Sequence, residues 1–185
     1  MKYNEDFIQI NQAFECDSTF FGVFNCELIR GDVEHLLNSP GSMVVSESFA
    51  LRVFGKADPE GQILILPEGQ FYGRNYEFTV KGVMKDFPGN SHFHPEILVS
   101  PVDENVLDGW AWCYILIKEN ADAGRIYSGF RDFYSSYTDS KADVSQIDIY
   151  LPKINDIHLR SAKSREIEPH SSMAVIFAFL IAALI

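Results

Sequence analysis

The sequence predicts an α+β fold in which mixed β-sheets carry packed helices, and three stretches support this prediction. Residues 43–45 form a short apolar strand that runs directly into a short helix. Residues 76–84 alternate between apolar and polar side chains, as half-buried strands do. Residues 122–137 place large apolar side chains on one broad face, which is the pattern of a helix packed on a sheet.

The strand and helix that begin at residue 43 carry their own start and stop signals. Ser46 is a candidate N-cap, because its hydroxyl can accept a hydrogen bond from an unpaired amide of the first turn. Glu47 then lies at the positive end of the helix dipole and Arg52 near the negative end. Gly55 supplies the left-handed residue with which helices commonly end.

The other elements are predicted from shorter signals. A short helix after Asp17 carries Phe20, Phe21 and Phe24, and a single helical turn is expected at 33–37. The aromatic face of helix 122–137 could line a ligand groove, but its spacing favours packing on a sheet. Further strands are expected at 7–14, 27–30, 62–66, 97–99, 112–117 (as a central strand) and 147–151, the last continuing in extended form to residue 159.

Charge and composition exclude some classes of function. The chain has 185 residues, with 26 acidic and 15 basic side chains, and its net charge is −11. Such a field repels polyanions, so a role in binding nucleic acid or an anionic lipid surface is not expected. The 46% of hydrophobic residues is that of a globular chain and not of a disordered one.

Cysteine and histidine spacing gives no clear metal or redox site. Cys16 and Cys26 could form a disulfide in an oxidising compartment, but three small buried side chains, including Cys113, are the favoured interpretation. His92 and His94 share one side of an extended segment, a spacing that can hold a metal, with Asp86 and Glu96 as candidate neighbours in space. Too few ligands lie close in sequence, so incidental turn or surface histidines are favoured.

The sequence carries no recognisable motif for enzymatic chemistry. It contains neither a Gly-x-Ser-x-Gly nucleophile elbow nor a Walker loop, and no carboxylate pair is placed by sequence for acid–base work. The acidic loop residues Asp86, Asp103, Glu104 and Asp108 are interpreted as solvated charges. We therefore predict no catalytic, cofactor-binding or metal-binding residue, and no cofactor.

The C-terminal residues 173–185 contain no polar side chain. A membrane-spanning helix needs about 20 such residues, so we interpret this segment as the beginning of a transmembrane helix. The alternative is a buried C-terminal helix of a soluble protein.

Several short motifs, taken in order, resemble one family. Ser-Glu opens the first helix and Phe-Gly closes it, Asp-Pro-x-Gly follows, and strand 76–84 runs into Gly-Val-Met-Lys-Asp-Phe-Pro-x-Asn-Ser-His. This order is similar to the extracytoplasmic core domain of MacB/FtsX-type ABC transporter permeases, above all their Bacteroidetes-type versions. The residues that carry the resemblance are structural and not catalytic: Gly31, Asp32, Ser46, Glu47, Phe54, Gly55, Gly61, Gly82, Val83, Asp86, Pro88 and Ser91.

The resemblance implies a fold in two lobes and a place in the cell. It implies a periplasmic core domain over residues 1–172, with an inserted lobe at roughly 64–120, followed by the beginning of the transmembrane helix at 173–185. The domain would lie in the periplasm as part of a protein of the bacterial inner membrane. It would transmit movements driven by a cytoplasmic ABC-type ATPase subunit, in which ATP is hydrolysed, to an export or partner-activation event outside.

The resemblance also implies partners, and other functions stay open. A homodimer or paired permease and a periplasmic adaptor or effector protein are the expected partners, in addition to the ATPase and the membrane. The first alternative is a membrane-anchored extracytoplasmic sensor whose aromatic groove binds a small ligand without transport. The second is a soluble enzyme, which the missing motifs do not favour.

Overall fold

The computed structural model describes residues 1–67, 74–102, 111–137, 150–160 and 167. The chain divides into two compact units, Met1–Tyr114 and Ile115–Ile185. The strands and the first two α-helices belong to the first unit, and the last two α-helices belong to the second.

The first unit is built on short strands. Its strands are β1 (Lys2–Tyr3), β2 (Asp6–Phe7), β3 (Ala13–Glu15), β4 (Leu28–Arg30), β5 (Ser42–Ser46), β6 (Ile63–Leu66), β7 (Tyr76–Met84) and β8 (Ile97–Val99). Its helices are α1 (Phe20–Val23), a 3₁₀ helix (Val33–His35) and α2 (Glu47–Phe54).

Among the described residues these strands form one mixed sheet, in the order β2-β1-β6-β7-β5-β8-β3, with β4 also paired to β7. The pairs β5–β7 and β3–β8 are parallel and the other pairs are antiparallel. The predicted α+β fold with a mixed sheet is therefore confirmed. The predicted lobe boundaries at about 64 and 120 stay a prediction, although strands β6, β7 and β8 of that range belong to the same sheet as β5.

The main core lies between this sheet and α2. Phe49, Ala50 and Phe54 on α2 are buried against inward side chains of the central strands. Because side chains alternate across a strand, Met43 and Val45 of β5 point into this core while Val44 points to the opposite face. Val44 is fully buried as well, so the sheet is covered on both faces at β5. The strand residues in the core are Met43, Val45, Leu64, Leu66, Phe78, Val80, Val83 and Ile97.

Two glycines allow the chain to pass very close to β7. A Cβ atom on Gly82 would lie 2.6 Å from Leu36 Cδ2 and 2.7 Å from the Arg30 carbonyl oxygen. Gly31 has a φ of +100°, and a Cβ there would lie 2.7 Å from the Lys81 carbonyl oxygen. Glycine is therefore required at both positions, where the end of β4 approaches β7 and fully buried Leu36 covers the contact.

Two predicted strands are wrong in this structure. Residues 7–14 form the separate strands β2 and β3, and residues 8–12 between them have no regular structure. Their polar groups bind elsewhere, as when the Asn11 amide donates to Glu96. Residues 112–117 form no strand, because Trp112 and Tyr114 pack their rings on other aromatic side chains instead of joining a ladder. β-branched and aromatic side chains favour half-buried surfaces in general, so a run of them does not by itself predict strand pairing.

The second unit contains α3 (Ala123–Tyr137) and α4 (Ile154–Arg160). Helix α3 was predicted, whereas the extended form expected at 152–159 is wrong. Asp156 lies in the first turn of α4, where its charge favours a helix start, and its amide donates to the Lys153 carbonyl at 2.8 Å. Of the strand predicted at 147–151, residues 147–149 lie outside the described residues.

The predicted aromatic face of α3 is partly buried. Ile126, Phe130 and Tyr134, spaced four residues apart, are half-buried, whereas Phe133 is 58% exposed. The Tyr127 hydroxyl donates to the Leu151 carbonyl at 3.3 Å within the same unit. None of the helices in the described part of the chain is long and apolar enough to cross a bilayer. The transmembrane helix predicted at 173–185 lies outside the described residues.

Candidate functional site

The candidate site is built around α2, whose first turn is capped twice. The Ser46 hydroxyl accepts a hydrogen bond from the Phe49 amide at 3.3 Å. Asp86, two residues beyond the end of β7, accepts hydrogen bonds from the amide (3.1 Å) and the hydroxyl (2.9 Å) of Ser48. Asp86 is an exposed loop residue, as its interpretation as a solvated loop charge implies, but its carboxylate also attaches the end of β7 to the start of α2.

The last turn of α2 is attached to two other segments. Glu96 lies just before β8, and its Oε1 is 2.8 Å from Arg52 Nη1. Arg52 Nη2 donates a hydrogen bond to the Gln9 carbonyl at 3.3 Å. Glu96 also accepts hydrogen bonds from the amide and side chain of Asn11, both at 2.9 Å. Gly55 then ends the helix at a φ of +61°. We call these contacts of Ser48–Asp86 and Arg52–Glu96–Asn11 the α2 clamp.

The ion pair of the clamp shifts the pKa values of Glu96 and Arg52. Burial would raise the pKa of Glu96, but the hydrogen bonds from Arg52 and Asn11 together outweigh it, so this pKa lies below the usual value. The hydrogen bond to Glu96 raises the pKa of Arg52. The side chain of Glu96 is 13% exposed and that of Arg52 is 45% exposed, so the pair is stronger than a fully solvated one.

The other residues that carry the resemblance occupy turns, caps and core positions. Asp32 caps the 3₁₀ helix by accepting from the Glu34 amide at 3.1 Å, and its pKa is lowered chiefly by the hydrogen bond to His35. Gly61, at a φ of +80°, donates its amide to the Val80 carbonyl at 2.8 Å. The Ser91 amide closes a turn on the Pro88 carbonyl at 2.8 Å.

A second group of interest is an aromatic cluster, made of Phe14, Phe20, Phe24, Phe87, His92, Phe93, Trp112 and Tyr114. Buried Phe93 is central, with ring centroids 5.2 Å from both Phe24 and Phe87. The Tyr114 hydroxyl lies 2.6 Å from His92 Nε2. These rings come from β3, α1 and loops rather than from one periodic element.

The structure does not bring the candidate metal ligands together. His92 Nε2 is bound to Tyr114, whereas His94 Nε2 lies 3.1 Å from the Pro88 carbonyl oxygen. Asp86 and Glu96 belong to different parts of the α2 clamp. Within the described ranges, no group of three or more His, Cys, Asp or Glu side chains is arranged to hold a metal ion.

The cysteines are free thiols in the structure, and two of them are protected. Burial, reinforced by the neighbouring carboxylates of Asp17 and Glu15, raises the pKa of Cys16 to about 12. Burial and Glu27 raise the pKa of Cys26 to about 11. Both thiols are therefore protonated at neutral pH, which lowers their reactivity. Cys113 is exposed, so the prediction of three buried cysteines is wrong for this residue.

This clamped helix on a mixed sheet is a structural arrangement, and the comparisons identify the class to which it belongs. A family model described as the MacB-like periplasmic core domain matches residues 2–160. The class is therefore that of periplasmic domains of ABC transporter permeases, as the resemblance implied. The chain belongs to the family of MacB-like periplasmic core domains.

Two solved structures are similar to this chain. One is described as a domain of a permease protein from Porphyromonas gingivalis, with a TM-score of 0.56 and 21% identity, covering 71% of this chain and 62% of that one. The other is the periplasmic region of MacB from Actinobacillus actinomycetemcomitans, with a TM-score of 0.44 and 16% identity, covering 67% of this chain and 55% of that one. The chain thus spans less than two thirds of either structure. No curated protein matches it.

Proposed function

We propose that this domain is a rigid external body that transmits movements of the permease, driven by ATP hydrolysis in a cytoplasmic ATPase subunit, to an export or partner-activation event outside the membrane. The observation that supports this role is the α2 clamp. Helix α2 is attached to the end of β7 at its first turn and to the segments before β3 and β8 at its last turn. A body that transmits force must resist internal deformation, and such cross-links between distant segments provide that resistance.

The proposal includes the place of the domain in a larger protein. Residues 1–172 would be the periplasmic part, including the inserted lobe at about 64–120, and residues 173–185 would enter the inner membrane. The ATPase would be a separate cytoplasmic subunit, and a second permease copy and a periplasmic adaptor or effector would complete the assembly. The residues of the resemblance, from Gly31 to Ser91, would serve this role by maintaining the fold.

The experiment measures rigidity and movement separately in the full permease, reconstituted with its ATPase in lipid nanodiscs. Spin labels at Lys56→Cys and Lys81→Cys, both exposed sites in the first unit, report its internal geometry. A label at Lys56→Cys with a paramagnetic lipid headgroup reports its distance from the bilayer. Cys113→Ser removes the exposed native thiol, while the raised pKa of Cys16 and Cys26 limits their labelling.

On binding of ATP, we expect the distance to the bilayer to change while the internal distance does not. The variant Glu96→Gln should reduce the ATP-driven displacement and leave ATP hydrolysis intact. Lys85→Gln is the matched control, because it removes an exposed ion pair with Glu27, 3.2 Å long, outside the clamp. A change in the internal distance of the native domain, or a fixed distance to the bilayer, would contradict the proposal.

A further inference from the structure

Among the strands of the described residues, β2 lies at an edge of the sheet, and its backbone is oriented for pairing. Strand β2 is the last strand in the sheet order and pairs with β1 on one side. Met1 and Ile8 exchange two hydrogen bonds, at 2.8 and 3.1 Å. In an antiparallel pair, hydrogen-bonded and non-hydrogen-bonded positions alternate, so the amide and carbonyl of Phe7 point away from β1. An added strand would find both groups available at this edge.

A cleft beside this edge is lined by residues of β2 and of α2. Phe7 is paired with Lys2 and its side chain is 78% exposed. Phe7 lines a cleft of about 470 Å³ together with Asp6, Ile8, Arg52 and Val53. The side chain of Arg52 is 45% exposed, and its guanidinium donates hydrogen bonds to Glu96 and Gln9.

Charge indicates what kind of strand this edge would accept. Asp6 is exposed in β2, Glu5 beside it forms an exposed ion pair with Lys2 at 3.5 Å, and the chain carries a net charge of −11. A second copy of the chain would bring the same negative charge to the edge, which opposes self-pairing. A basic side chain opposite Asp6 would be attracted instead.

We propose that the β2 edge binds an extended segment of a partner protein as an added antiparallel strand. The segment has a large apolar residue opposite Phe7 and a Lys or Arg next to it, opposite Asp6. Backbone hydrogen bonds to Phe7 provide the pairing, the exposed ring of Phe7 provides a cross-strand contact, and Asp6 provides the charge preference. This inference does not depend on the transmission role proposed above.

The test is a titration of the ¹⁵N-labelled chain with the acetylated and amidated peptide Thr-Val-Phe-Lys-Thr. We expect saturable shifts of the amides of Phe7 and its neighbours in β2, with a dissociation constant of about 0.1–1 mM, as for a small interface. Methylating the backbone nitrogen of the peptide's Phe removes a donor to the Phe7 carbonyl and should weaken binding at least about fivefold. Binding that is unaffected by methylation would overturn strand addition.

Variants with matched controls test the side-chain contacts. Phe7→Ser should weaken binding at least about fivefold, whereas Leu51→Ser, also an exposed apolar residue but not in the cleft, should leave it unchanged. Asp6→Asn should abolish the preference for Lys over Glu in the peptide, and Glu47→Gln should retain it. Equal affinity for Phe7→Ser and the native chain, or concentration-dependent dimerisation with the same shifts in the absence of peptide, would overturn the proposal.

Discussion

The core under α2 and the aromatic cluster are assembled from different kinds of segments, and the cluster is less completely buried, since its Trp112 is 52% exposed. The core is formed by regular elements, with Phe49 and Phe54 on α2 facing alternate residues of β5, β6 and β7. The aromatic cluster takes Phe93 and His92 from a loop, Phe20 from a one-turn helix and Tyr114 from a segment without regular structure. One region is therefore fixed by backbone ladders, and the other by contacts among side chains.

The two regions should differ in how much stability they lose when a side chain is substituted. A side chain removed from the core leaves a cavity between elements whose positions the hydrogen-bonded sheet fixes. Rings in the cluster are attached to less regular backbone, and their edge-to-face contacts, such as the 89° contact of Phe24 with Phe93, contribute individually small energies. We expect single changes in the core to have the larger effects.

The largest effect is expected from Phe49→Ala. Phe49 is fully buried at the centre of the core, so the variant should lose about 3–5 kcal/mol of unfolding free energy. Urea unfolding followed by circular dichroism measures this loss. Leu51→Ala on the same helix is the control, since Leu51 is 67% exposed and the change should stay within about 0.5 kcal/mol. A Phe93→Ala variant that loses more than Phe49→Ala would reverse the comparison.

A smaller effect is expected from Gly82→Ala, which adds an atom instead of removing several. The new Cβ would lie 2.6 Å from Leu36 Cδ2 and 2.7 Å from the Arg30 carbonyl oxygen, so about 1–3 kcal/mol should be lost. Gly22→Ala is the matched control, because a Cβ there meets nothing within 4 Å and alanine favours the helix α1. Thermal unfolding measures the stability of both variants against the native chain. If Gly82→Ala loses no stability, β4 is able to move away from β7.

The sequence predicts the core under α2 better than the aromatic cluster, because the bonds that define the core elements join residues that are close in sequence. Ser46 and Gly55 delimit α2 through bonds within a few residues, and the alternation in β7 reports directly which side chains are buried. The aromatic cluster has no period, because its rings approach from distant segments. The strand predicted at 112–117 is wrong for that reason: its large β-prone side chains are used in ring contacts.

The contacts of the α2 clamp also join residues that are distant in sequence, so the sequence does not predict them. Asp86 and Arg52 were both noted in the sequence, but their partners, Ser48 and Glu96, are 38 and 44 residues away. A charge that is separated from its partner by tens of residues cannot be distinguished from a solvated one without the fold. The boundaries of the lobes and the role of the residues that carry the resemblance stay predictions.

Two hydroxyl deletions sharpen the comparison between the regions. Tyr114→Phe removes the 2.6 Å hydrogen bond to His92 in the aromatic cluster, and Tyr3→Phe removes the 3.0 Å bond to Gln62 beside the core. Each should cost about 0.5–1.5 kcal/mol in urea unfolding, and Tyr114→Phe should cost more because His92 is 8% exposed. If Tyr3→Phe loses more unfolding free energy than Tyr114→Phe, the hydrogen bond between Tyr114 and His92 is not what holds the aromatic cluster in place.

The smallest effect is expected from the ion pair of the α2 clamp, and it depends on pH. Because the pKa of Glu96 is lower in the folded state than in the unfolded chain, its stabilisation is present above the unfolded value of about 4.3 and is lost as pH falls through the folded pKa. Glu96→Gln should therefore lose about 0.2–1 kcal/mol of unfolding free energy at pH 7. This is the range for exposed ion pairs, and it applies because the side chain of Arg52 is 45% exposed.

Urea unfolding of the native chain and Glu96→Gln, at pH 7 and at pH values below 4, tests this sign. The difference in unfolding free energy between the two proteins should shrink in acid, because protonated Glu96 and glutamine are both neutral. Lys85→Gln changes the exposed pair with Glu27 and provides the reference for surface charge. A difference that grows in acid would mean that Glu96 is stabilised as the neutral acid, and the helix would then be attached by packing rather than by charge.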